Sequence, residues 1–208
     1  MCWSATADLV AGTAVGVIGV VCVAHVRRVR DLPLAALPLL LGIHQIVESA
    51  VWRGGGGPGP ATDAWAVIAL PVLVIWVPLA VLLAAPASVR PRLAVPVAVG
   101  VALAGFLAHR LATTTVTAEI RGRTVGYLLD LPHAPLAVAG YLLATVGALL
   151  LAADRTLRVL GALVGVGAVV CALLWRTAFV STWCALAAVA SIVLLVWVRG
   201  RSATETAG

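Results

Sequence analysis

Near the start of the chain three polar residues interrupt an apolar stretch: His44, Gln45 and Glu48, in the run LLLGIHQIVESAVW. His44 and Glu48 stand four residues apart and Gln45 and Glu48 three apart, spacings that share one face of an α-helix. An ionised carboxylate is costly in such a helix. Glu48 is therefore expected either to be neutral or to pair with a cation, and both outcomes make it a candidate functional residue. Counted back from Arg53 at 1.5 Å per residue, Glu48 lies about 7–8 Å inside the helix end and His44 about 13–14 Å. A neutral carboxylic acid in a dry pocket is a proton donor, with His44 or Gln45 to orient it. The plainer alternative is a Glu–Arg or Glu–His pair that only locks helices together.

Other chemistry-bearing residues fall toward the same end of the helices: Cys2 and Trp3 at the start, then Trp52, His109, Arg110, Tyr127, His133, Trp175, Arg176, Trp183 and Cys184. Trp52, Trp175 and Trp183 offer electron-rich faces, and Tyr127, His133 and Arg176 complete a candidate substrate-binding set. Against this, tryptophan belts are normal at membrane interfaces, and for Trp3, Trp52 and Trp65 the belt alone is a sufficient account. The cysteines at 2, 22, 171 and 184 have no C-x-x-C spacing, which excludes a zinc ribbon or thioredoxin motif. Cys2 and Cys184 either pair, pack as plain thiols, or join His44, His109 or His133 in a mixed sulfur–nitrogen metal site.

The elements that must position these residues are set by composition. The chain has 208 residues, 62% hydrophobic and only 11% charged, with a mean hydropathy of +1.12; soluble domains are about a quarter charged. An all-α membrane protein follows. Seven apolar blocks are long enough to cross roughly 30 Å of hydrocarbon, at 5–26, 32–53, 64–86, 92–111, 134–153, 157–176 and 178–198, forming one transmembrane domain over 1–208. Nine of the fourteen arginines (27, 28, 30, 90, 92, 155, 158, 199 and 201) fall on one side and five (53, 110, 121, 123 and 176) on the other. The positive-inside rule then puts the N-terminus outside and the C-terminus inside. The basic cluster follows the first block rather than preceding it, so that helix is expected to be retained rather than cleaved as a signal.

Lysine is absent, which excludes retinal, Schiff-base and pyridoxal chemistry. Arginines at helix ends rather than on one solvated patch do not imply nucleic acid. Asp31 before Leu32-Pro33, Asp63, Asp130 before Leu131-Pro132, and Asp154 read as helix caps. Gly12-x-x-x-Gly16 and Gly161-x-x-x-Gly165 predict close helix contacts, and Pro71 and Pro78 predict a bent third helix with freed carbonyls. Alternation around Arg121-Gly122-Arg123 predicts a β-hairpin within 113–129, either a lid over the bundle mouth or a solvated loop. Gly54 to Pro60 reads as a flexible linker.

Met1-Cys2-Trp3-Ser4, the helix from Leu34 through His44-Gln45 to Glu48 and Trp52, and Ser181-Thr182-Trp183-Cys184 together resemble a widespread bacterial family of uncharacterised seven-helix proteins. The resemblance covers most of the chain and implies a multi-pass protein of the bacterial cell membrane, with no activity to carry over. In size, helix count and isolated membrane carboxylate the chain also resembles the bacterial integral-membrane terpene cyclases of drimane-type indole alkaloid pathways. That resemblance is architectural, and no catalytic motif aligns. It implies a lipophilic substrate entering from membrane lipid, protonated by Glu48 at an alkene or epoxide, with tryptophan faces holding the cation. Neither Asp-Asp-x-x-Asp nor Asp-x-Asp-Asp occurs, so no magnesium-dependent diphosphate ionisation and no cofactor is expected. Two other readings remain open: a metal or haem-binding redox protein, and a small proton-coupled transporter in which Glu48 exchanges the proton.

Overall fold

The computed structural model describes the backbone of residues 4–174 and 179–206, and the side chains of 4–171 and 186–201. It is mostly helical, with one small two-stranded sheet. Among the described residues, four helices are long and apolar enough to cross a membrane: Ala5–Ala24, Val29–Arg53, Pro60–Ala84 and Ala87–Thr113. These suggest a membrane protein, and a shorter apolar helical stretch covers Ala134–Leu150.

Helix α1 (Ala5–Ala24) starts at Ser4, whose hydroxyl accepts from the Ala7 N–H at 3.2 Å. Its buried residues are Asp8, Gly12, Val15, Gly19 and Cys22, a spacing of three and four that makes one stripe. That stripe packs on α3 (Leu37–Arg53), which follows the short α2 (Leu32–Ala35). The approach is backbone against backbone. A Cβ on Gly42 of α3 would sit 2.7 Å from the Gly12 carbonyl and 2.7 Å from the Gly16 nitrogen, and one on Gly19 would sit 2.5 Å from the Leu39 nitrogen. The Gly12 motif thus does bring helices together, its partner being Gly42. On the far side Val10, Val17 and Val20 are exposed, a face suited to lipid.

The third long helix is not uniform. It runs from α4 (Pro60–Val67) through a π-helical turn at Ile68–Val72 that contains Pro71, into α5 (Leu73–Ala84), which contains Pro78. The π turn accommodates a residue that cannot donate, the usual setting of such bulges. Pro78 withdraws the donor that Val74 would otherwise meet, and Gly100 of α6 (Arg90–Thr113) lies so near that a Cβ there would be 2.7 Å from the Val74 oxygen. A second π turn, Leu143–Gly147, separates α7 (Ala134–Leu142) from α8 (Ala148–Leu150). The Tyr141 hydroxyl donates to the Ala69 carbonyl at 2.7 Å, joining α7 to the first π turn. Helices α9 (Arg155–Leu174) and α10 (Phe179–Thr206) complete the order. Gly161 packs on Leu149 and Gly165 on Val146, as their spacing predicted.

The expected hairpin is present. Strands β1 (Thr117–Arg121) and β2 (Thr124–Leu128) pair antiparallel, with Ala118 opposite Tyr127 and Arg121 opposite Thr124. Gly122 supplies the positive φ that its two-residue turn requires. The glycine run before α4 is not a flexible linker. Gly55, Gly56, Gly57 and Gly59 all have positive φ, and Gly57 exchanges two hydrogen bonds with Ala118 of β1, at 2.7 and 3.2 Å. Glycine is needed there for backbone conformation and, at Gly56, for space: a Cβ would lie 2.7 Å from the Ala118 oxygen.

Two of the expected caps are otherwise employed. Asp31 makes no capping bond and instead pairs with Arg201 of α10 at 3.0 Å, 8% exposed. Asp130 pairs with Arg110 across the connection, and the next helix begins only at Ala134, after His133 in a left-handed conformation with φ 57°. Asp63 lies inside the first turn of α4 rather than before it. Asp154 does cap, accepting from the Thr156 N–H at 2.8 Å, and also takes the Trp197 indole N–H at 3.1 Å.

Candidate functional site

The close seam between α1 and α3 fixes the site. At the hairpin end of that seam the Ser49 hydroxyl donates to the Ala5 carbonyl at 2.7 Å, tying the first turn of α1 to α3 one residue beyond Glu48. Glu48 is fully buried and Asp8, on the facing stripe of α1, is 1% exposed. The seam thus holds two neighbouring acids inside apolar packing. Gln45 is buried beside them. The Trp52 indole lies against Asp8 and the Trp65 indole against Glu48, neither N–H reaching well-formed hydrogen-bond geometry.

The hairpin closes the site. Its Tyr127 hydroxyl donates to Glu48 Oε1 at 3.5 Å, the outer limit of a hydrogen bond. The Tyr127 ring stacks on Trp65 of α4 with centroids 3.4 Å apart and planes within 4°. Trp65 in turn meets His44, centroids 5.0 Å apart and tilted 40°. His44, Trp65 and Tyr127 thus make an aromatic column beside the acid, backed by Val51, Ala66, Val116, Ala118 and Val125. His44 is buried and its Nε2 has no hydrogen-bond partner. Burial pushes the Tyr127 phenol above its ordinary range, and the neighbouring Glu48 charge adds to that push. Tyr127 therefore remains a donor.

Of the residues singled out from sequence, Glu48, Gln45, His44, Trp52 and Tyr127 are brought together. His109 and His133 are exposed on α6 and at the start of α7, outside this buried cluster. Cys2, Trp175 and Arg176 lie outside the described residues, as do the side chains of Trp183 and Cys184 on α10. Among the described residues no group of three His, Cys, Asp or Glu side chains is placed to hold a metal ion.

Two members were missed by sequence reasoning. Asp8 follows a capping serine by four residues and reads as a first-turn acid complementing the helix dipole. Its register with Gly12, Val15 and Gly19 is the signal that would have put it on the packed face. Trp65 reads from sequence as an interfacial-belt residue, whereas it is 3% exposed and stacked inside the protein.

A buried acid pair roofed by a hairpin carries no family name by itself, and the comparison with known families supplies one over residues 1–208. The chain belongs to DUF6629, a family of unknown function. No curated protein and no solved structure matches it. Membership fixes kinship along the whole chain and leaves the chemistry to the cluster itself.

Proposed function

We propose that the chain crosses the bacterial cell membrane seven times and uses Glu48 as a buried general acid on a lipophilic isoprenoid, the chemistry of a protonation-initiated terpene cyclase or isomerase. Helix α9 has 20 residues and α10 has 28, enough for roughly 30 Å each at 1.5 Å per residue. With Ala134–Leu150 and the four long apolar helices they supply seven spans. The arginine bias sets the nine-arginine end in the cytoplasm and the hairpin outside.

The observation that carries the chemistry is Glu48, fully buried, flanked by the Trp65–Tyr127 stack. Proton transfer breaks the Glu48 O–H bond and forms a C–H bond at an alkene, or an O–H bond at an epoxide. The resulting carbocation is attacked by an internal alkene, and loss of a proton to the Glu48 carboxylate restores the acid. Aromatic faces stabilise such a cation by about 0.5–2 kcal/mol each without attacking it.

The test is incubation of the purified chain in lipid nanodiscs in D2O with prenyl alcohols and their terminal epoxides, followed by mass spectrometry. Wild-type protein is expected to form cyclised or isomerised product, carrying carbon-bound deuterium where an alkene is protonated, and Glu48→Gln to lose about 10²–10⁴-fold of that rate. Full turnover by Glu48→Gln, or no cyclised or isomerised product from wild type with any of these substrates, overturns the reading. A second reading, a proton-coupled transporter, is favoured by Asp8, since two interacting acids on separate helices suit proton exchange. Proton flux into proteoliposomes that requires both Asp8 and Glu48, without turnover of any prenyl substrate, would select it.

A further inference from the structure

At the arginine-rich end, opposite the acid cluster, the ends of five segments enclose a basin of about 330 Å³. Arg28 and Arg30 enter it from the connection after α1, Arg201 from α10 and Asp154 from the connection before α9, while Val81 of α5 and Leu157 of α9 line its wall. We propose that this basin binds a phosphate oxyanion, presented by the headgroup of an acidic membrane lipid or by a soluble phosphate.

Three guanidinium groups line the basin against two carboxylates, Asp154 in its wall and Asp31 paired with Arg201, and Asp154 already accepts from the Thr156 N–H and the Trp197 indole. The balance therefore favours an anion. Arg201 is held in place: its Nε donates to Asp31 at 3.0 Å and its guanidinium lies 5.0 Å over the Trp197 ring. A guanidinium has five donors in a rigid fork that matches phosphate oxygens, and these two contacts fix the Arg201 fork at the edge of the basin. Because α5 and α9 are apolar, the wall beside the arginines changes from charge to hydrocarbon within one basin. That gradient matches a glycerophosphate at the membrane surface, where basic pockets between helices take acidic headgroups. The site is independent of any role for Glu48.

The experiment uses the full chain in detergent micelles. Native mass spectrometry follows titration with phosphatidylglycerol, with phosphatidylcholine as the zwitterionic comparison. Calorimetry with inorganic phosphate, against chloride, forms the parallel arm. Phosphatidylglycerol is expected to be retained in preference to phosphatidylcholine, with affinity falling about fivefold per arginine removed in Arg28→Gln and Arg30→Gln. Arg123→Gln, on the exposed hairpin, should bind as wild type does. If inorganic phosphate alone binds with the same arginine dependence, the site stands and its ligand is soluble. Equal retention of both lipids with no phosphate heat, or unchanged binding in the double variant, overturns the proposal. Should the double variant not fold, the exposed Arg30→Gln carries the same comparison alone.

Discussion

Gly42→Ala is the sharpest probe of the seam that makes the acid site. The added methyl would stand 2.7 Å from the Gly12 carbonyl oxygen and 2.7 Å from the Gly16 nitrogen. Ordinary contact begins near 3.4 Å, so α1 must retreat by about 0.7 Å along its closest approach to α3. Both obstructing atoms are backbone and cannot rotate aside, and overpacking of this kind costs about 1–3 kcal/mol. Gly16→Ala is the internal comparison, since a Cβ at Gly16 meets nothing within 4 Å. It should change stability by no more than about 0.5 kcal/mol. A Gly-x-x-x-Gly motif taken alone would rank Gly12 and Gly16 equally, whereas the packing separates them. Reversible unfolding of both variants in mixed detergent micelles, followed by tryptophan emission, measures the difference. If Gly16→Ala is as damaging as Gly42→Ala, or Gly42→Ala is neutral, the seam is not built as described.

Two further outcomes follow from other contacts. Because burial raises the Tyr127 phenol, the folded chain should show no ionisation of Tyr127 near pH 10, where an unperturbed tyrosine titrates. Stability that this phenol lends is fully present below that pH and declines as pH rises further. The difference in absorbance at 295 nm between wild type and Tyr127→Phe reads it, and a Tyr127 transition at the ordinary pH would show the stack to be open to water. Arg201→Ala leaves Asp31 buried without its 3.0 Å partner, which should lower unfolding stability by on the order of 1–2 kcal/mol. Restoration by Asp31→Asn in the Arg201→Ala background would attribute the loss to that charge, and no loss at all would show the pair to be idle.

Local signals in the sequence carried the helices and the hairpin. Twenty-residue apolar blocks leave little choice of structure, and Val116, Ala118 and Ile120 alternate before a Gly-Arg turn. Helix starts were less legible where an acid had a remote partner: Asp31 and Asp130 look like caps, but Arg201 and Arg110 claim them. The glycine run looked slack because its pairing with Ala118 joins residues some sixty positions apart. In the site, the i, i+3 and i+4 spacing of Gln45, His44 and Glu48 was sufficient to find α3's polar face. The opposite wall was not, because Asp8 belongs to another helix and Trp65 is a residue type with a ready explanation at an interface.

The Tyr127–Glu48 contact spans 79 residues of chain, which has a consequence for how the protein is made. At about 5–20 residues per second of synthesis, α1 and α3 are complete roughly 4–15 s before Tyr127 exists. During that interval Glu48 has the α1 face, with Asp8, as its neighbour and no hairpin above it. Synthesis thus passes through a half-built state in which the acid pair lacks its roof. A ribosome-stalled chain ending before residue 113 isolates that state, and cysteine-accessibility labelling at position 48 would show when the roof arrives.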